Sequence, residues 1–303
     1  MRRFLTALLL FGLLVLVLDL PFRWAMRDLP DTEYDDRLHR ILEDRLPARI
    51  LVFGSSRAAR DVMPQRITEI TGSEAFSLGY PGASITFQEF VLRLVLQSAH
   101  KPHTVLLVVD DPSELIGTKT VDFRLDRSYP LAGYDVVNDE ICERTGKSRL
   151  LTRLLASYRI KESLSQLWAP PKPDRFDTVF ADGSMTSMMR SAALDTFSFQ
   201  AAARRYAIQH ESAMHRDAFL RFVQGCTDHG IRLIIVHPPG LDPPTIGFAE
   251  RIAELTKGNA EIYHYDTTNQ AYRDLGFYYD APHLNRKGAR VFSEELAGFL
   301  ARR

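Results

Sequence analysis

Ser55 and Ser56 in Gly54-Ser55-Ser56-Arg57, and Asp280 and His283 in Asp280-Ala281-Pro282-His283, are the residues of this chain best suited to joint chemistry. A serine hydroxyl is a weak nucleophile until a neutral imidazole takes its proton. The imidazole in turn needs a carboxylate on its other nitrogen, which fixes the tautomer and stabilises the imidazolium. The two segments therefore supply nucleophile, base and orienting acid, the set used for ester hydrolysis or acyl transfer through an acyl-serine. Each half has an ordinary alternative. A serine after a strand is a favoured helix N-cap, and Asp-x-x-His occurs a second time at Asp36-Arg37-Leu38-His39, in a polar helical stretch.

The elements needed to position these residues are legible. Five apolar, β-rich runs read as strands: Arg49–Phe53, Ala75–Leu78, Thr104–Val109, Arg232–His237 and Glu261–Asp266. Amphipathic patterns at Val62–Thr71, Phe87–His100, Ala213–His229 and Gly247–Lys257 alternate with them. Such alternation predicts an α/β fold with a five-stranded parallel sheet, doubly wound in the flavodoxin-like manner. Ligands of these sheets bind beyond the carboxyl ends of the strands, where Ser56, Gly82, Asp110 and His237 fall. Gly54 permits a sharp turn out of the first strand, and a helix following it would aim free N–H groups at a developing oxyanion.

Order and context of both segments resemble the SGNH, or GDSL, hydrolase superfamily. Its nucleophile block follows the first strand, and its Asp-x-x-His block precedes the last helix. The resemblance runs from about residue 49 to the C-terminus, with a break in the middle. It puts the nucleophile at Ser56, the base at His283 and the orienting carboxylate at Asp280. Ser77-Leu78-Gly79-Tyr80-Pro81-Gly82 resembles the second block, which implies that the N–H groups of Ser56 and Gly82 form the oxyanion hole. The third block departs from the pattern. Where the family places an Asn that donates to the oxyanion, this chain has Asp110-Asp111-Pro112-Ser113. Losing one such donor costs ~10²–10³ in turnover, and an ionised Asp110 there would repel the oxyanion. Arg57 is a candidate replacement donor, and the alternative for both aspartates is capping a helix after a buried strand. Within the superfamily, the N-terminal anchor, the Gly-Ser-Ser block and a long helical insertion are similar to the D-alanyl transfer proteins of teichoic acid modification. That likeness implies a membrane-bound O-acyltransferase as partner and a cell-envelope polysaccharide or lipid as substrate.

The N-terminus carries the second strong signal. Met1-Arg2-Arg3 precedes a stretch from Phe4 to Leu20 broken only by Thr6, Gly12 and Asp19, close to the ~20 apolar residues a bilayer-spanning helix needs. The arginines predict a cytoplasmic N-terminus, and no small-residue cleavage pattern follows. The expectation is an uncleaved signal anchor over residues 1–24, a linker helix over 25–48, and an SGNH-like domain over 49–303 on the extracytoplasmic, periplasmic face of the cytoplasmic membrane. The 303 residues, 45% hydrophobic and 25% charged with zero formal charge, suit one such domain and give no sign of nucleic-acid binding.

Between the third and fourth strands, about 112–206, lies an irregular insertion. It holds a basic segment Lys147–Trp168, a Pro-rich hinge at residues 169–173, and Met185, Met188 and Met189. It reads either as a lid above the serine or as a structural cap. His237, closing the fourth strand, competes with His283 for the base role but has no carboxylate at a local spacing, so a strand-end or substrate contact fits it better. Tyr278 and Tyr279 read as packing residues. The nine histidines and two cysteines form no metal-ligand spacing, no cofactor motif follows the first strand, and Cys142 and Cys226 are expected to be free, buried thiols. A module that binds polysaccharide or a membrane acyltransferase without turnover is the alternative from another functional class.

Overall fold

The computed structural model describes residues 1–32, 35–46, 48–118, 122–159, 178–199 and 202–302, the side chains of 26, 28–32 and 159 excepted. The chain divides into two units. One comprises Met1–Glu43 with Arg124–Lys172, the other Asp44–Phe123 with Pro173–Arg303.

The second unit is built on five parallel strands: β1 (Ile50–Gly54), β2 (Ala75–Gly79), β3 (Thr104–Val108), β4 (Arg232–His237) and β5 (Glu261–His264), in the order β2-β1-β3-β4-β5. β1 to β3 are buried throughout, as expected of apolar runs covered on both sides. Residues in register set the geometry of the site: Gly54 pairs with Gly79 on one side and Val108 on the other, and His237 pairs with His264. The ends of β1, β2 and β3 therefore lie side by side.

Alternate residues of β1 meet different neighbours. Val52 joins a core cluster with Ile67, Phe292 and Leu296, whereas Phe53 meets Phe222 edge-on at 5.3 Å. The helix Arg286–Ala301 packs against Pro64–Thr71 and Ser56–Asp61, and Ala213–Asp228 packs against Ile85–Gln97. Fully buring side chains such as Phe53, Phe222 and Phe292 contributes about 1.5–3 kcal/mol each before cavity effects. Strand boundaries fall within about two residues of the sequence pattern and helix boundaries within about three, with one difference. The helix read over Val62–Thr71 starts only at Pro64, because Val62 and Met63 adopt extended backbone that separates it from the preceding helix Ser56–Asp61.

In the first unit, Arg2–Thr32 is a helix whose segment Arg2–Ala25 is long and apolar enough to cross a membrane. The remaining helices are short: Arg37–Leu42, Leu125–Ser128, Asp135–Thr145, Arg149–Leu154 and Ala156–Arg159. The rest of the basic segment 147–168, and the hinge at 169–173, lie outside the described residues.

Candidate active site

β1 ends on Gly54 at φ 143°, where a Cβ would meet Ala58 Cβ and the Val108 carbonyl at 2.6 Å. No side chain fits, and the chain turns at once into the helix Ser56–Asp61. Ser55 takes the N-cap position, but its hydroxyl makes no capping bond; it donates instead to the Asp110 carboxylate. Ser56, first residue of the helix, is left at the carboxyl edge of the sheet.

His283 reaches that edge from the other end of the sequence. Its Nε2 lies 2.7 Å from Ser56 Oγ, and its Nδ1 lies 2.7 Å from Asp280 Oδ1. The same carboxylate oxygen accepts the His283 backbone N–H at 3.0 Å, and the Tyr279 N–H donates to the His283 carbonyl at 2.9 Å. The loop is thus closed on itself at two points. With Nδ1–H directed to Asp280, Nε2 is the unprotonated nitrogen facing the serine, the tautomer required of a general base. The side chains of His283 and Asp280 are 18% and 28% exposed, so the pair is sheltered yet reachable.

Asp61, which sequence reasoning did not single out, holds this geometry together with Arg57. Asp61, fully buried on the serine-bearing helix, accepts the Leu284 N–H at 2.8 Å through Oδ1 and faces Arg57 Nε at 3.5 Å through Oδ2. It ties the residue after His283 to the helix that starts at Ser56. Burial, outweighing the attraction of Arg57 and His283, pushes its carboxyl up to about 7. The i,i+4 spacing of Arg57 and Asp61 was the available signal. Arg57 itself donates through Nη2 to the carbonyls of Pro238 (2.9 Å) and Pro239 (2.6 Å), which ties its guanidinium to the loop after β4.

Gly82 sits at φ 73° in the turn Tyr80-Pro81-Gly82-Ala83, closed by the Ala83 N–H to the Tyr80 carbonyl at 2.9 Å. Proline second and a left-handed glycine third define a type II turn. It leaves Gly82 three residues beyond the β2 end, beside the β1 end that carries Ser56.

Past β3, residues 111–115 form turns, so neither Asp110 nor Asp111 caps a helix. Asp110 accepts the Ser55 hydroxyl, and its N–H donates to Glu114 Oε2 at 2.9 Å. Desolvation raises the carboxyl of Asp110, and burial next to Asp110 pushes that of Glu114 up to about 8. Asp111 Oδ2 accepts the Thr245 N–H at 2.7 Å.

His237 does not join the Ser56–His283–Asp280 chain of hydrogen bonds. It stacks on His264, its partner in register, at 4.7 Å between ring centroids and 13° between planes. Burial, then the neighbouring His264 and Arg57, pushes it down to about 3, so it is neutral at physiological pH. The two rings line a cavity of about 590 Å³ together with Arg57, Asp111, Phe248 and Pro282. Arg57 and Pro282, chain neighbours of Ser56 and His283, line this cavity, while Ser56 and His283 themselves do not. His264 was not singled out from sequence, although it closes β5 as His237 closes β4.

Tyr278 is fully buried and donates to the Tyr272 carbonyl at 3.0 Å. Met185 is buried, while Met188 and Met189 are exposed. Cys142 and Cys226 are free and buried, and no metal-binding group of His, Cys, Asp or Glu occurs among the described residues. Neither a scan of protein-family models nor a comparison with curated proteins finds a match to the chain.

Proposed function

We propose that this protein is an SGNH-like serine acyltransferase or ester hydrolase working through an acyl-serine intermediate. The observation that carries the reading is the continuous chain Ser56 Oγ, His283 Nε2, His283 Nδ1, Asp280 Oδ1, with both links at 2.7 Å. Neutral His283 takes the Ser56 proton as Oγ attacks the acyl carbon, and Asp280 stabilises the imidazolium. The tetrahedral oxygen receives the N–H groups of Ser56 and Gly82. Its collapse expels the alcohol, which takes the proton from Nε2. A second hydroxyl, of acceptor or water, then enters with His283 again as base.

The doubly wound, flavodoxin-like arrangement belongs to the same reading. It is supported by the strand order and by the split of β1 side chains between Phe292 and Phe222. So does the treatment of 112–206 as a helical insertion, given its run of short helices. The apolar helix Arg2–Ala25, bearing Arg2 and Arg3 at its start, supports a single-pass anchor with the reacting domain on the periplasmic face. An anchored enzyme favours a membrane-delivered or immobile substrate, so a polysaccharide or lipid-linked acceptor and a membrane-bound O-acyltransferase partner follow by likeness to the D-alanyl transfer group. The cavity beside Arg57 is the candidate acceptor pocket.

One observation favours a second reading, a binding module with little turnover. No amide replaces the third-block Asn, and the Arg57 guanidinium is committed to Pro238 and Pro239. A fluorophosphonate probe separates the two. Labelling that is lost on Ser56→Ala supports the enzyme; an unlabelled, folded wild-type chain supports the module.

A further inference from the structure

Asp19 lies within the apolar helix, amid residues from Phe4 to Leu20 that are largely exposed, yet is itself 2% exposed. An acidic group at membrane depth is costly unless satisfied, and here one segment satisfies it. The Asp19 carboxylate accepts the backbone N–H groups of Ala156 and Ser157, both at 2.8 Å, and the Ser157 hydroxyl at 2.6 Å. Arg23 Nε donates to it at 3.1 Å, and the Arg23 guanidinium also donates to the Leu154 carbonyl. Residues 154–157 are therefore clamped to the one helical turn between Asp19 and Arg23.

The short helix just before the clamp, Arg149–Leu154, is fixed about its own axis by Thr152. This residue is fully buried, 3.2 Å from both the Asn138 amide and the Cys142 thiol. At ~100° per residue, Leu150 and Leu154 point away from Thr152, with Leu151 at their flank. They are 66%, 47% and 39% exposed, an apolar trio that no neighbour covers among the described residues. Depth follows from the rise of the long helix. Asp19 stands ~24 Å and Arg23 ~30 Å beyond Arg3, against a hydrocarbon core of ~30 Å.

We infer that Arg149–Leu154 is an interfacial element that inserts Leu150, Leu151 and Leu154 into the outer-leaflet acyl boundary beside the transmembrane helix. This rests on reading Arg2–Ala25 as a span with its arginines inside, and is independent of the chemistry at Ser56. Lipid is the occupant because the leucine face continues the exposed apolar surface of the span at the level of Trp24, itself 77% exposed. Arg149 and Arg153 flank the leucines with side chains 62% and 58% exposed; each forms a long, exposed ion pair, with Asp139 at 3.6 Å and Asp135 at 3.9 Å, that lipid phosphates can replace.

The test uses the full chain in vesicles of phosphatidylcholine and phosphatidylglycerol. Single cysteines at positions 150, 151 and 154 carry an environment-sensitive fluorophore; the native thiols are buried and do not compete. The labels should be quenched by lipids bearing a nitroxide near the headgroup end of the acyl chain and shielded from aqueous iodide. A label at Met214, 57% exposed, should behave oppositely. Asp19→Ala should return the three labels to iodide, whereas Asp19→Asn, which keeps one acceptor oxygen for residues 156–157, should retain part of the lipid quenching. A label at Leu10 reports the span itself. If Leu10 is lipid-quenched while 150, 151 and 154 behave like 214, the interfacial element is refuted and the span stands. Shielding of the three from both quenchers would reveal a protein partner or a second copy on this face and would equally overturn the inference. An aqueous Leu10 would remove its premise.

Discussion

The chain holds two copies of Asp-x-x-His, and only one of them brings its residues together. In Asp36-Arg37-Leu38-His39 the aspartate is the residue before the helix Arg37–Leu42 and the histidine lies inside it. There the helical spacing sends Asp36 to Arg40 Nε at 2.9 Å, and His39 Nε2 to the Tyr134 hydroxyl at 3.0 Å. In Asp280-Ala281-Pro282-His283 the backbone is a non-helical loop whose closure on Asp280 Oδ1 brings carboxylate and imidazole to 2.7 Å. The lesson is that a motif's spacing is neutral until a backbone conformation decides whom each side chain meets. On the helix Asp36 is within reach of several side chains one turn on and takes Arg40, while His39 takes Tyr134; a loop tied by Tyr279 and anchored to Asp61 through Leu284 turns Asp280 and His283 toward each other.

This contrast can be broken most directly at the proposed nucleophile and base. Ser56→Ala and His283→Ala should each abolish fluorophosphonate labelling and lower turnover by ~10³-fold or more. His39→Ala should leave both unchanged. Loss of labelling in His39→Ala with retention in His283→Ala would invert the assignment.

Next in size is the orienting acid. Asp280→Asn keeps the shape but no longer holds Nδ1–H as a carboxylate does, and should cost about 10²–10⁴ in turnover. Asp36→Asn should cost nothing measurable in the same assay.

Asp61 sharpens the comparison from the structural side. Asp61→Ala orphans the buried Leu284 N–H, a loss of about 1–3 kcal/mol, and should release His283 from Ser56, whereas Asp61→Asn keeps an acceptor for it. A pH series of chemical denaturation adds a signed check. The folded carboxyl is raised to about 7 from an ordinary value near 4. Between these values the folded state holds a proton that the unfolded chain releases. This contribution is full below about pH 4 and declines as pH rises to about 7. The Asn variant should lack that decline, and a parallel pH dependence in both proteins would count against a protonated Asp61.

The smallest effect concerns Asp110. Its carboxylate is engaged with Ser55, and Asn at that position can still accept from that hydroxyl. Asp110→Asn should therefore preserve the fold and raise turnover by about 10-fold at most, through removal of a negative charge near the oxyanion. A fall in turnover with unchanged stability would show instead that the charge serves the site, through Ser55 or Glu114.

Much of the framework was legible because buried parallel strands are continuous apolar runs. Ile50–Gly54, Thr104–Val108 and Arg232–His237 stand where their β-branched and aliphatic residues put them. So was the apolar helix at the N-terminus. The split of Ser56–Asp61 from Pro64–Thr71 was less so, since only the constraint of Pro64 on Met63 separates them.

The sequence by itself determined which residues could act and which segments would become strands, because residue type and hydrophobic period are local properties. Only the tertiary structure decided the rest. Strand order set the ends of β1, β2 and β3 side by side, the last loop folded back to bring His283 to Ser56, and the hydroxyl of Ser55 went to Asp110 rather than to a cap. Asp61 and His264 gained their places from neighbours remote in sequence, Leu284 and His237. Long-range pairing depends on the joint packing of distant apolar faces, and no spacing within one segment records it.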